Sequence, residues 1–510
     1  MVVKCNSFGL YGIDGYKVEV EASLELGQEV FDLVGLPDAA VKESKDRVRN
    51  AFKNTGYQFP MSRITVNLAP AEFKKVGAIY DFPIFIALMK ASGNLAADVS
   101  DCAFLGELSL SGGLRAINGV LPMTIKAKEC NIKRLFVPAD NAAEGAVVKG
   151  IEVYPVESVR DVIMFFRGEK EMFPANPVPY DEFKDAEMPD FSQVSGQYEA
   201  KRALEIAAAG GHNVLLIGPP GSGKSMLAKR MPGILPDMTF EETIETTKVH
   251  SIAGTLPKGA PLIRRRPFRA PHHTVSPVAL SGGGVTVKPG EISLANNGVL
   301  FLDELPEFGR KTMEVLRQPL EDGVVTVSRA SGKFTYPCNI MLIAAMNPCP
   351  CGYFNHPTRS CSCSPQAIAR YLNRVSGPLL DRFDIHIEVP PVEYEELSKR
   401  KPEESSAEIK KRVDRAREIQ TARYKNSRTT CNARLSDAQF GEFCVISDDA
   451  AKLLKTAFDK MGLSARAYNR ILKVARTIAD LDESEKIELR HVAEAVQYRS
   501  LDRKYWGDKF

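Results

Sequence analysis

A glycine-rich run in the middle of the chain has the composition of a phosphate-binding loop. It fits the pattern G-x-x-x-x-G-K-[ST], in which backbone N–H groups turn towards phosphates, Lys224 reaches the β and γ oxygens and Ser225 binds Mg²⁺. The apolar run 214–217 before it predicts a strand, and helix-forming residues follow, so a chance glycine-rich turn is disfavoured. The predicted ATP-binding residues of this loop are Gly218, Pro219, Pro220, Gly221, Ser222, Gly223, Lys224 and Ser225.

Two acidic residues follow a second apolar run, 299–302, which predicts another buried strand. Asp303 and Glu304 then lie at the carboxyl end of that strand, where an open parallel sheet binds its ligands. We expect Asp303 to hold Mg²⁺ together with Ser225, and Glu304 to polarise the water that attacks ATP. Strands that merely end in acidic residues are common, but a phosphate-binding loop in the same chain favours the catalytic interpretation.

A third apolar run, 340–346, ends at Asn347. An amide side chain at that end of a strand is well placed to orient the attacking water, so we predict that Asn347 belongs to the hydrolytic site. These motifs need parallel strands that end at one edge of a sheet, and they therefore predict an α/β core.

A dense group of cysteines directly follows this predicted site. Cys349, Cys351, Cys361 and Cys363 are spaced C-x-C-x₉-C-x-C, and four thiolates can close a tetrahedral Zn²⁺ site. The C-x-C spacing is tighter than the usual C-x₂-C, so free thiols and a redox disulfide stay open as alternatives to structural zinc. His356 lies within the loop as a substitute ligand. Four protein ligands leave no open position, which argues against a catalytic metal.

A basic run lies between Lys224 and Asp303, in the middle of a stretch that leaves room for an insertion into the core. Guanidinium groups for phosphates, with an aromatic ring for stacking, are typical of a surface that follows single-stranded nucleic acid. A solvated loop, or one packed on a neighbouring subunit, is the alternative. The residues of this run are Arg264, Arg265, Arg266, Phe268, Arg269, His272 and His273.

A second candidate contact with DNA is the segment 324–337. Ser331 and Gly332 separate two strand-like runs there, as the turn of a hairpin would. Arg329 and Lys333 lie beside the predicted tip, where their charges would face a phosphate backbone.

Length and composition describe an ordinary globular protein of several domains. The chain has 510 residues, of which 44% are hydrophobic and 26% charged, and one domain holds ~100–200 residues. A net charge of +3 neither requires nor excludes a nucleic-acid partner. No run approaches the ~20 apolar residues of a membrane span, and ten cysteines suit a reducing compartment, so we expect a cytoplasmic protein without a membrane partner.

The chain divides into four predicted segments. Residues 1–165 mix alternating and helical patterns and predict an α+β domain, whereas 166–190 are polar and rich in proline, as linkers are. Residues 191–392 carry the nucleotide motifs, and 393–510 predict a helical lid.

Taken together, the motifs resemble one known family over nearly the whole chain. The runs RPFRAPHHT, GEISLANNGVLFLDELPEF, LRQPLEDG, NPCPCG and GPLLDRFD look like the YifB/ComM family of Mg-chelatase-like AAA+ ATPases. The resemblance implies a hexameric ring that hydrolyses ATP and associates with DNA. It implies, for the ComM branch, ATP-driven branch migration of recombination intermediates. In related rings the hairpin that corresponds to 324–337 faces the central pore.

The resemblance also implies roles for single residues of the nucleotide site. Gly196 and Gln197 resemble the turn with which AAA+ ATPases contact adenine. Asn347 resembles the residue called sensor 1. Arg466, near the start of a predicted amphipathic helix, is the candidate for the phosphate contact called sensor 2.

Arg382 resembles the arginine finger of hexameric AAA+ proteins. Such a residue reaches the γ-phosphate held by the neighbouring subunit and stabilises the charge of the transition state. The alternative is a local ion pair with Asp381 or Asp384, since surface pairs of this kind are frequent and weak.

The segments 74–93 and 104–122 resemble the S5-like fold shared by Lon-type protease domains and the N-terminal domain of Mg-chelatase-like ATPases. The positions of the Lon serine and lysine fall near Ile79 and Met123. Neither side chain can supply the hydroxyl or the amine of a Ser–Lys dyad, so we expect a non-catalytic domain that serves as a scaffold or binds a protein partner.

The prediction for the whole chain is a hexameric ATPase that moves on DNA, and two other classes stay open. One is a chelatase-like motor subunit that helps to insert Mg²⁺ into a porphyrin, although the chain lacks the acidic runs of an integrin-like partner domain. The other is a Lon-like protein unfoldase or protease, against which the missing Ser–Lys pair argues.

Overall fold

The structure is a computed structural model. It describes residues 2–176, 188–257, 260–284, 286–329, 332–391, 403–427, 429–461 and 463–506. Over these residues the chain forms an N-terminal α+β region, a parallel α/β core and a C-terminal helical region. Each helix in the described ranges is too short or too polar to span a bilayer.

The N-terminal region is a mixed sheet packed against helices. Its strands are β1 (Val2–Tyr11), β2 (Asp14–Glu25), β3 (Val30–Val34), β4 (Arg63–Ala69), β5 (Cys102–Phe104), β6 (Glu107–Leu108), β7 (Leu114–Arg115), β8 (Arg134–Pro138) and β9 (Glu152–Val156). Its helices are α1 (Ala39–Lys42), α2 (Ser44–Asn54), α3 (Asp81–Ala91), α4 (Val120–Glu129), α5 (Ala142–Gly145) and α6 (Val159–Phe166). Seven strands form one sheet in the order β3-β4-β2-β1-β5-β8-β9. The helix α3 is apolar on all sides and is therefore buried.

The core consists of a parallel sheet, its helices and two small antiparallel pairs. Its strands are β10 (Val214–Ile217), β11 (Phe268–Arg269), β12 (Gly282–Gly283), β13 (Lys288–Pro289), β14 (Val299–Leu302), β15 (Val324–Arg329), β16 (Gly332–Pro337), β17 (Met341–Met346) and β18 (Ile385–Glu388). Its helices are α7 (Tyr198–Gly210), α8 (Lys224–Arg230), α9 (Phe240–Ala253), α10 (Pro277–Ser281), α11 (Glu291–Leu294), α12 (Arg310–Val315), α13 (Arg317–Asp322), α14 (Pro365–Leu372) and α15 (Gly377–Leu380).

Five strands of the core run parallel in the order β11-β14-β17-β10-β18. Every residue of β10, β14 and β17 is buried, as expected for central strands with both faces covered. The strands β15 and β16 form the predicted hairpin, with Arg329 opposite Gly332. Ser331 of the predicted turn lies outside the described residues.

The C-terminal region is helical. Its helices are α16 (Ser406–Arg423), α17 (Phe440–Phe443), α18 (Asp448–Met461), α19 (Ala465–Leu481), α20 (Leu489–Gln497) and α21 (Ser500–Trp506). Both α16 and α19 pack against α7, and their apolar residues join the hydrophobic cluster of the core. The last helix, α21, reaches β18, where Tyr505 Oη donates to Glu388 Oε1 at 3.0 Å. Of the predicted linker, the part that includes Pro177 and Pro179 lies outside the described residues.

Candidate nucleotide site

Three strand ends meet at one edge of the core sheet. The register pairs Ile217 of β10 with Met346 of β17, and Leu302 of β14 with Ala344 of β17. Gly218, the first residue of the glycine-rich loop, donates its N–H to the carbonyl of Met346 at 3.2 Å. The segments that follow these strands are therefore neighbours, and they carry the predicted phosphate, magnesium and water contacts.

The glycine-rich loop folds around the amine of Lys224. Gly221 and Gly223 have φ values of 78° and 90°, in the left-handed region that favours glycine. Lys224 Nζ donates to the carbonyl oxygens of Gly218 and Pro219 at 2.8 Å each. It also lies 3.3 Å from the Oδ1 of Asn347. The structure thus brings Lys224 and Asn347 together, as the sequence motifs require.

Lys224 is buried, and burial lowers the pKa of its ammonium group to about 8. The negative charges of Asp303 and Glu304 act in the opposite direction but do not offset the loss of solvent. The phosphates of a nucleotide would supply further negative charge at this point. We expect a bound nucleotide to raise this pKa towards its ordinary value.

The two predicted magnesium ligands are in contact. Ser225, in the first turn of α8, donates its hydroxyl to Asp303 Oδ2 at 2.6 Å. Mg²⁺ prefers oxygen ligands and is commonly held by one or two protein oxygens plus phosphates and water. A serine hydroxyl beside a strand-end aspartate is the arrangement in which P-loop enzymes hold this ion.

Glu304 takes a rare backbone conformation directly after Asp303. Its φ is 53°, and its N–H donates to Asp303 Oδ1 at 3.0 Å. The carboxylate is 58% exposed and lies 3.3 Å from the Nδ1 of His273. It is therefore open to water, as a group that polarises water must be.

His273 is a residue of this site that sequence reasoning missed. It follows β11, its ring lies 6.4 Å from that of Phe308, and its Nδ1 approaches Glu304. The strands β11 and β14 are neighbours in the sheet, so the residues after them meet at the same edge. In the sequence His273 appears only as part of a basic run, and only the strand order connects it with Glu304.

Gln197 lies behind the glycine-rich loop, at the start of α7. Its side chain is buried, and its Nε2 donates to the carbonyls of Pro390 at 2.6 Å and Ser222 at 3.3 Å. Its Oε1 is buried without a hydrogen-bond partner among the residues that the structure describes. An unpaired buried acceptor is costly, and an amino group such as that of adenine would satisfy it.

The two predicted arginines lie at the other edge of the sheet. Arg382 precedes β18, and its carbonyl accepts a hydrogen bond from Asn213 Nδ2 at 2.9 Å, just before β10 begins. A strand the length of β10 spans roughly 10 Å, which separates this edge from the glycine-rich loop. Arg466 is 69% exposed and lies 3.8 Å from Asp381 on the same side as Arg382. The structure therefore does not bring either arginine to the Lys224 site of its own chain.

The contacts of Arg382 differ from the predicted alternative. Its guanidinium group forms an ion pair with Glu321. Asp384 instead lies 3.5 Å from Arg470 and 3.1 Å from His212. The side chain of Arg382 is mostly buried, and burial lowers its pKa. A local pair exists, but its acidic partner comes from α13 rather than from the neighbouring aspartates.

Three residues of the basic run make contacts within the chain, which differs from the expectation that the whole run is free to bind DNA. Arg266 pairs with Glu242 at 2.9 Å and is largely buried. Arg269 donates twice to Glu291, at 2.6 and 2.7 Å. Phe268 stacks on a phenylalanine of β14 with ring centres 5.9 Å apart. Guanidinium groups and a ring that are engaged in this way are not available to a nucleic acid.

The hairpin keeps its basic residues at the surface. Arg329 and Lys333 are both exposed. Phe334, next to Lys333, packs against Tyr11 of the N-terminal region with ring centres 4.9 Å apart. The hairpin therefore joins a charged surface to a contact between two regions of the chain.

The predicted zinc ligands converge beside the glycine-rich loop. The four sulfur atoms all lie within 4.8 Å of one another, and they belong to Cys349, Cys351, Cys361 and Cys363. His356, the substitute ligand, accepts the N–H groups of Thr358 and Arg359 with its Nδ1 at 3.2 and 3.1 Å.

The parallel sheet, the glycine-rich loop and the acidic strand end define a P-loop ATPase of the AAA+ class. Residues 190–397 match the family described as magnesium chelatase, subunit ChlI, and 403–499 match the C-terminal part of that subunit. Residues 18–141 match a further family, subunit ChlI of Mg-chelatase.

Similar proteins identify the family. The YifB protein of Escherichia coli (strain K12) is 44% identical over 498 residues, which cover 96% of each chain. The competence protein ComM of Haemophilus influenzae is 44% identical over 497 residues, again 96% of each. The magnesium-chelatase 38 kDa subunit of Rhodobacter capsulatus is 27% identical over 177 residues, or 31% of this chain and 50% of that protein.

The chain belongs to the YifB/ComM family of Mg-chelatase-like AAA+ ATPases. Both the predicted family and the predicted fold class are confirmed. Membership implies ATPase activity with ATP and Mg²⁺.

Proposed function

We propose that this ATPase is a hexameric motor that acts on DNA and, like the ComM branch of its family, drives branch migration in recombination or transformation. The observation that carries the proposal is that the nucleotide-site residues and Arg382 lie at opposite edges of the core sheet. Lys224 and Asp303 lie at the carboxyl edge of the core sheet, and Arg382 lies at the amino edge. A ring in which the amino edge of one copy faces the carboxyl edge of the next would complete each site.

The residues at the carboxyl edge fit ATP with Mg²⁺. Lys224 would bind the β and γ phosphate oxygens, and Ser225 with Asp303 would hold the ion, which when bound neutralises charge that develops on the phosphates. Glu304 would polarise the attacking water and Asn347 would orient it. Gln197 would accept a hydrogen bond from adenine through its unpaired Oε1. In this scheme Arg382 and Arg466 serve the neighbouring copy.

The DNA contact is assigned to the hairpin rather than to the whole basic run. Arg329 and Lys333 are exposed at its described ends, whereas Arg266 and Arg269 are committed to Glu242 and Glu291. Phosphate contacts by such residues are independent of base sequence. The N-terminal region, which packs on the hairpin through an aromatic contact, would then sense or transmit its movement, or bind a protein partner.

DNA-stimulated ATP hydrolysis tests the proposal. Branched or single-stranded DNA should raise the ATPase rate of the wild type. The double variant Arg329→Ala with Lys333→Ala should lose DNA affinity while keeping the rate measured without DNA. A plot of log affinity against log salt concentration should also become less steep. Its slope should decrease in magnitude by roughly 0.7 for each single-strand phosphate that the variant no longer neutralises.

A matched control removes the same charge elsewhere. Lys455 and Lys460 are exposed on α18, so their double alanine variant should bind DNA as the wild type does. Unchanged DNA affinity and salt slope in the hairpin variant, with rings still formed, would contradict the DNA proposal. Stimulation by an unfolded protein would then favour a protein-handling machine, and stimulation by a porphyrin-binding partner would favour a chelatase motor.

A further inference from the structure

The four cysteines after Asn347 form a compact group of free thiols. The sulfur atoms of Cys349 and Cys351 lie 3.4 Å apart, those of Cys351 and Cys361 lie 3.6 Å apart, and those of Cys349 and Cys361 lie 3.7 Å apart. Cys363 completes the group, in which all four sulfur atoms lie within 4.8 Å. A disulfide bond is about 2.0 Å long, so these sulfur atoms are close without being bonded.

We propose that these cysteines bind one zinc ion that braces the nucleotide loop. In a tetrahedral site with Zn–S bonds of about 2.3 Å, the sulfur atoms are separated by about 3.8 Å. The three separations given above are only slightly smaller, and Cys363 Sγ lies within 4.8 Å of the other sulfur atoms, so an ion at the centre would need little movement of the chain. Sulfur-only tetrahedral sites hold zinc or iron–sulfur clusters, and sulfur atoms this close leave no room for several irons.

Backbone N–H groups point at the sulfur atoms, as they do where thiolates bind a metal. Phe354 N–H donates to Cys349 Sγ at 3.3 Å, and Cys363 N–H donates to Cys361 Sγ at 3.4 Å. Such bonds stabilise negative charge on sulfur and orient the ligands. A loop that served only to pack apolar thiols would have no need of them.

The position of the group suggests what the ion does. Cys349 is buried and lies two residues after Asn347, in the same hydrophobic cluster as Leu302 and Met346 of the sheet. The turn between the two ligand pairs begins at Gly352, whose φ is 83°. A Cβ atom there would lie 2.4 Å from Cδ of Pro220, so the turn touches the glycine-rich loop.

An ion with four protein ligands has no open position and does no chemistry on a substrate. Its effect must therefore be mechanical. It makes the loop 349–363 rigid, and this loop contacts Pro220 through Gly352 and continues from Asn347 at its start. This effect on the loop rests on the proposed nucleotide site, whereas metal binding itself does not.

Metal analysis of the full-length protein tests the binding. Protein purified without added metal should contain about one zinc per chain, and Cys361→Ser should lose most of it. Cys130→Ser removes a thiol of the N-terminal region that is not in the group, and this control should keep its zinc. Cys361→His restores a zinc ligand and should recover metal if loss of the ligand, rather than misfolding, explains the serine variant.

Cobalt substitution gives a second readout that does not depend on any variant. Cobalt in place of zinc should show the visible absorption of a tetrahedral four-sulfur site, including sulfur-to-metal charge transfer. Absence of both stoichiometric zinc and these bands would overturn the proposal. Equal metal contents in Cys361→Ser and Cys130→Ser would overturn it as well.

The bracing role is tested at Gly352. Gly352→Ala should keep its zinc but bind ATP several-fold more weakly, because its Cβ would displace Pro220. Gly377 has no neighbouring atom within 4 Å of an added Cβ, so Gly377→Ala is the control and should bind ATP normally. Normal ATP binding by Gly352→Ala and by protein stripped of zinc would refute the brace while leaving the ATPase proposal intact.

Discussion

At the carboxyl edge of the core sheet, Lys224, Ser225 and Asp303 contact each other and the glycine-rich loop, whereas at the amino edge Arg382 and Arg466 pair with acidic residues. The carboxyl edge therefore brings together the lysine, hydroxyl and carboxylate that the motifs predict for a nucleotide and its ion. The amino edge contains positive charge that lies away from the glycine-rich loop of its own chain.

Under the proposed function, the difference divides the catalytic roles between two copies of the chain. Binding depends on one chain, because the loop, the hydroxyl and the carboxylate come from neighbouring strand ends. Stabilisation of the transition state needs a cation near the γ-phosphate, and in the proposed ring Arg382 would provide it to a neighbouring copy. Its ion pair with Glu321 would be exchanged for the phosphate when copies assemble.

The largest expected effect comes from Arg382→Ala. An arginine finger contributes about 10³-fold or more to turnover, so this variant should hydrolyse ATP about a thousand times more slowly and still bind it. Mixing it with Lys224→Ala subunits should restore part of the activity, because a mixed ring can set an intact Lys224 opposite an intact Arg382. Steady-state ATPase rates of rings shown to have mixed would measure this.

Glu321→Gln separates the finger from the local ion pair. It removes the partner of Arg382 within the chain but leaves the guanidinium group, so its turnover should stay near that of the wild type. A loss as large as that of Arg382→Ala, with no recovery on mixing, would mean that Arg382 acts through its own chain.

Glu304→Gln tests the carboxyl edge alone. Activation of water by a carboxylate is worth about 10²- to 10⁴-fold, and the amide keeps the shape of the side chain while losing its charge. We expect ATP binding like that of the wild type, with turnover reduced at least about a hundredfold. Glu307→Gln, an exposed carboxylate three residues on, is the control, and wild-type turnover by Glu304→Gln would remove this residue from the mechanism.

The buried amine of Lys224 predicts a pH dependence of binding. Its pKa is lowered to about 8 by burial, so the free protein loses this charge as the pH rises through that value. Bound phosphates favour the charged form, and the dissociation constant for ATP should therefore rise about tenfold between pH 7 and pH 9. Titration calorimetry in buffers of different ionisation heat should show proton uptake on binding at pH 9.

The variant Lys224→Met provides the comparison for this titration. It should bind ATP weakly and without the same dependence on pH. The lowered pKa of Lys224 also affects stability. Between about pH 8 and the ordinary pKa of lysine, the unfolded chain binds more protons at this group than the folded chain does. The contribution of Lys224 to the free energy of unfolding should therefore rise with pH in that window. Equal affinities of the wild type at pH 7 and pH 9 would contradict the assignment.

The smallest effect is expected at His273. Its contact with Glu304 holds an exposed carboxylate at one orientation, so His273→Ala should lower kcat several-fold and leave KM unchanged. His273→Asn, which keeps a donor near the same place, should recover part of the loss. His272 Nδ1 contacts Thr274 at 2.9 Å and its ring lies 4.1 Å from that of His273, so His272→Ala should lower kcat less than His273→Ala does. A change in KM alone would show that His273 affects nucleotide binding.

The basic run shows why the sequence could not tell a DNA-binding surface from arginines that form ion pairs within the chain. A cluster of arginines looks the same whether its partners are phosphates or carboxylates. The carboxylates that engage Arg266 and Arg269 belong to Glu242 on α9 and Glu291 on α11, more than twenty positions away in either direction. Ion pairs at that separation follow no periodic pattern, so folding alone revealed them.

The sequence by itself determined the strands, the glycine-rich loop and the pairing of Ser225 with Asp303. These features follow from local patterns: apolar runs of strand length, glycines where φ must be positive, and polar residues where each run ends. Only the tertiary structure decided that His273 meets Glu304, that the four cysteines meet one another, and that Arg382 lies away from its own nucleotide loop. Each of these depends on strand order and chain reversal, which bring residues together without any fixed spacing in the sequence.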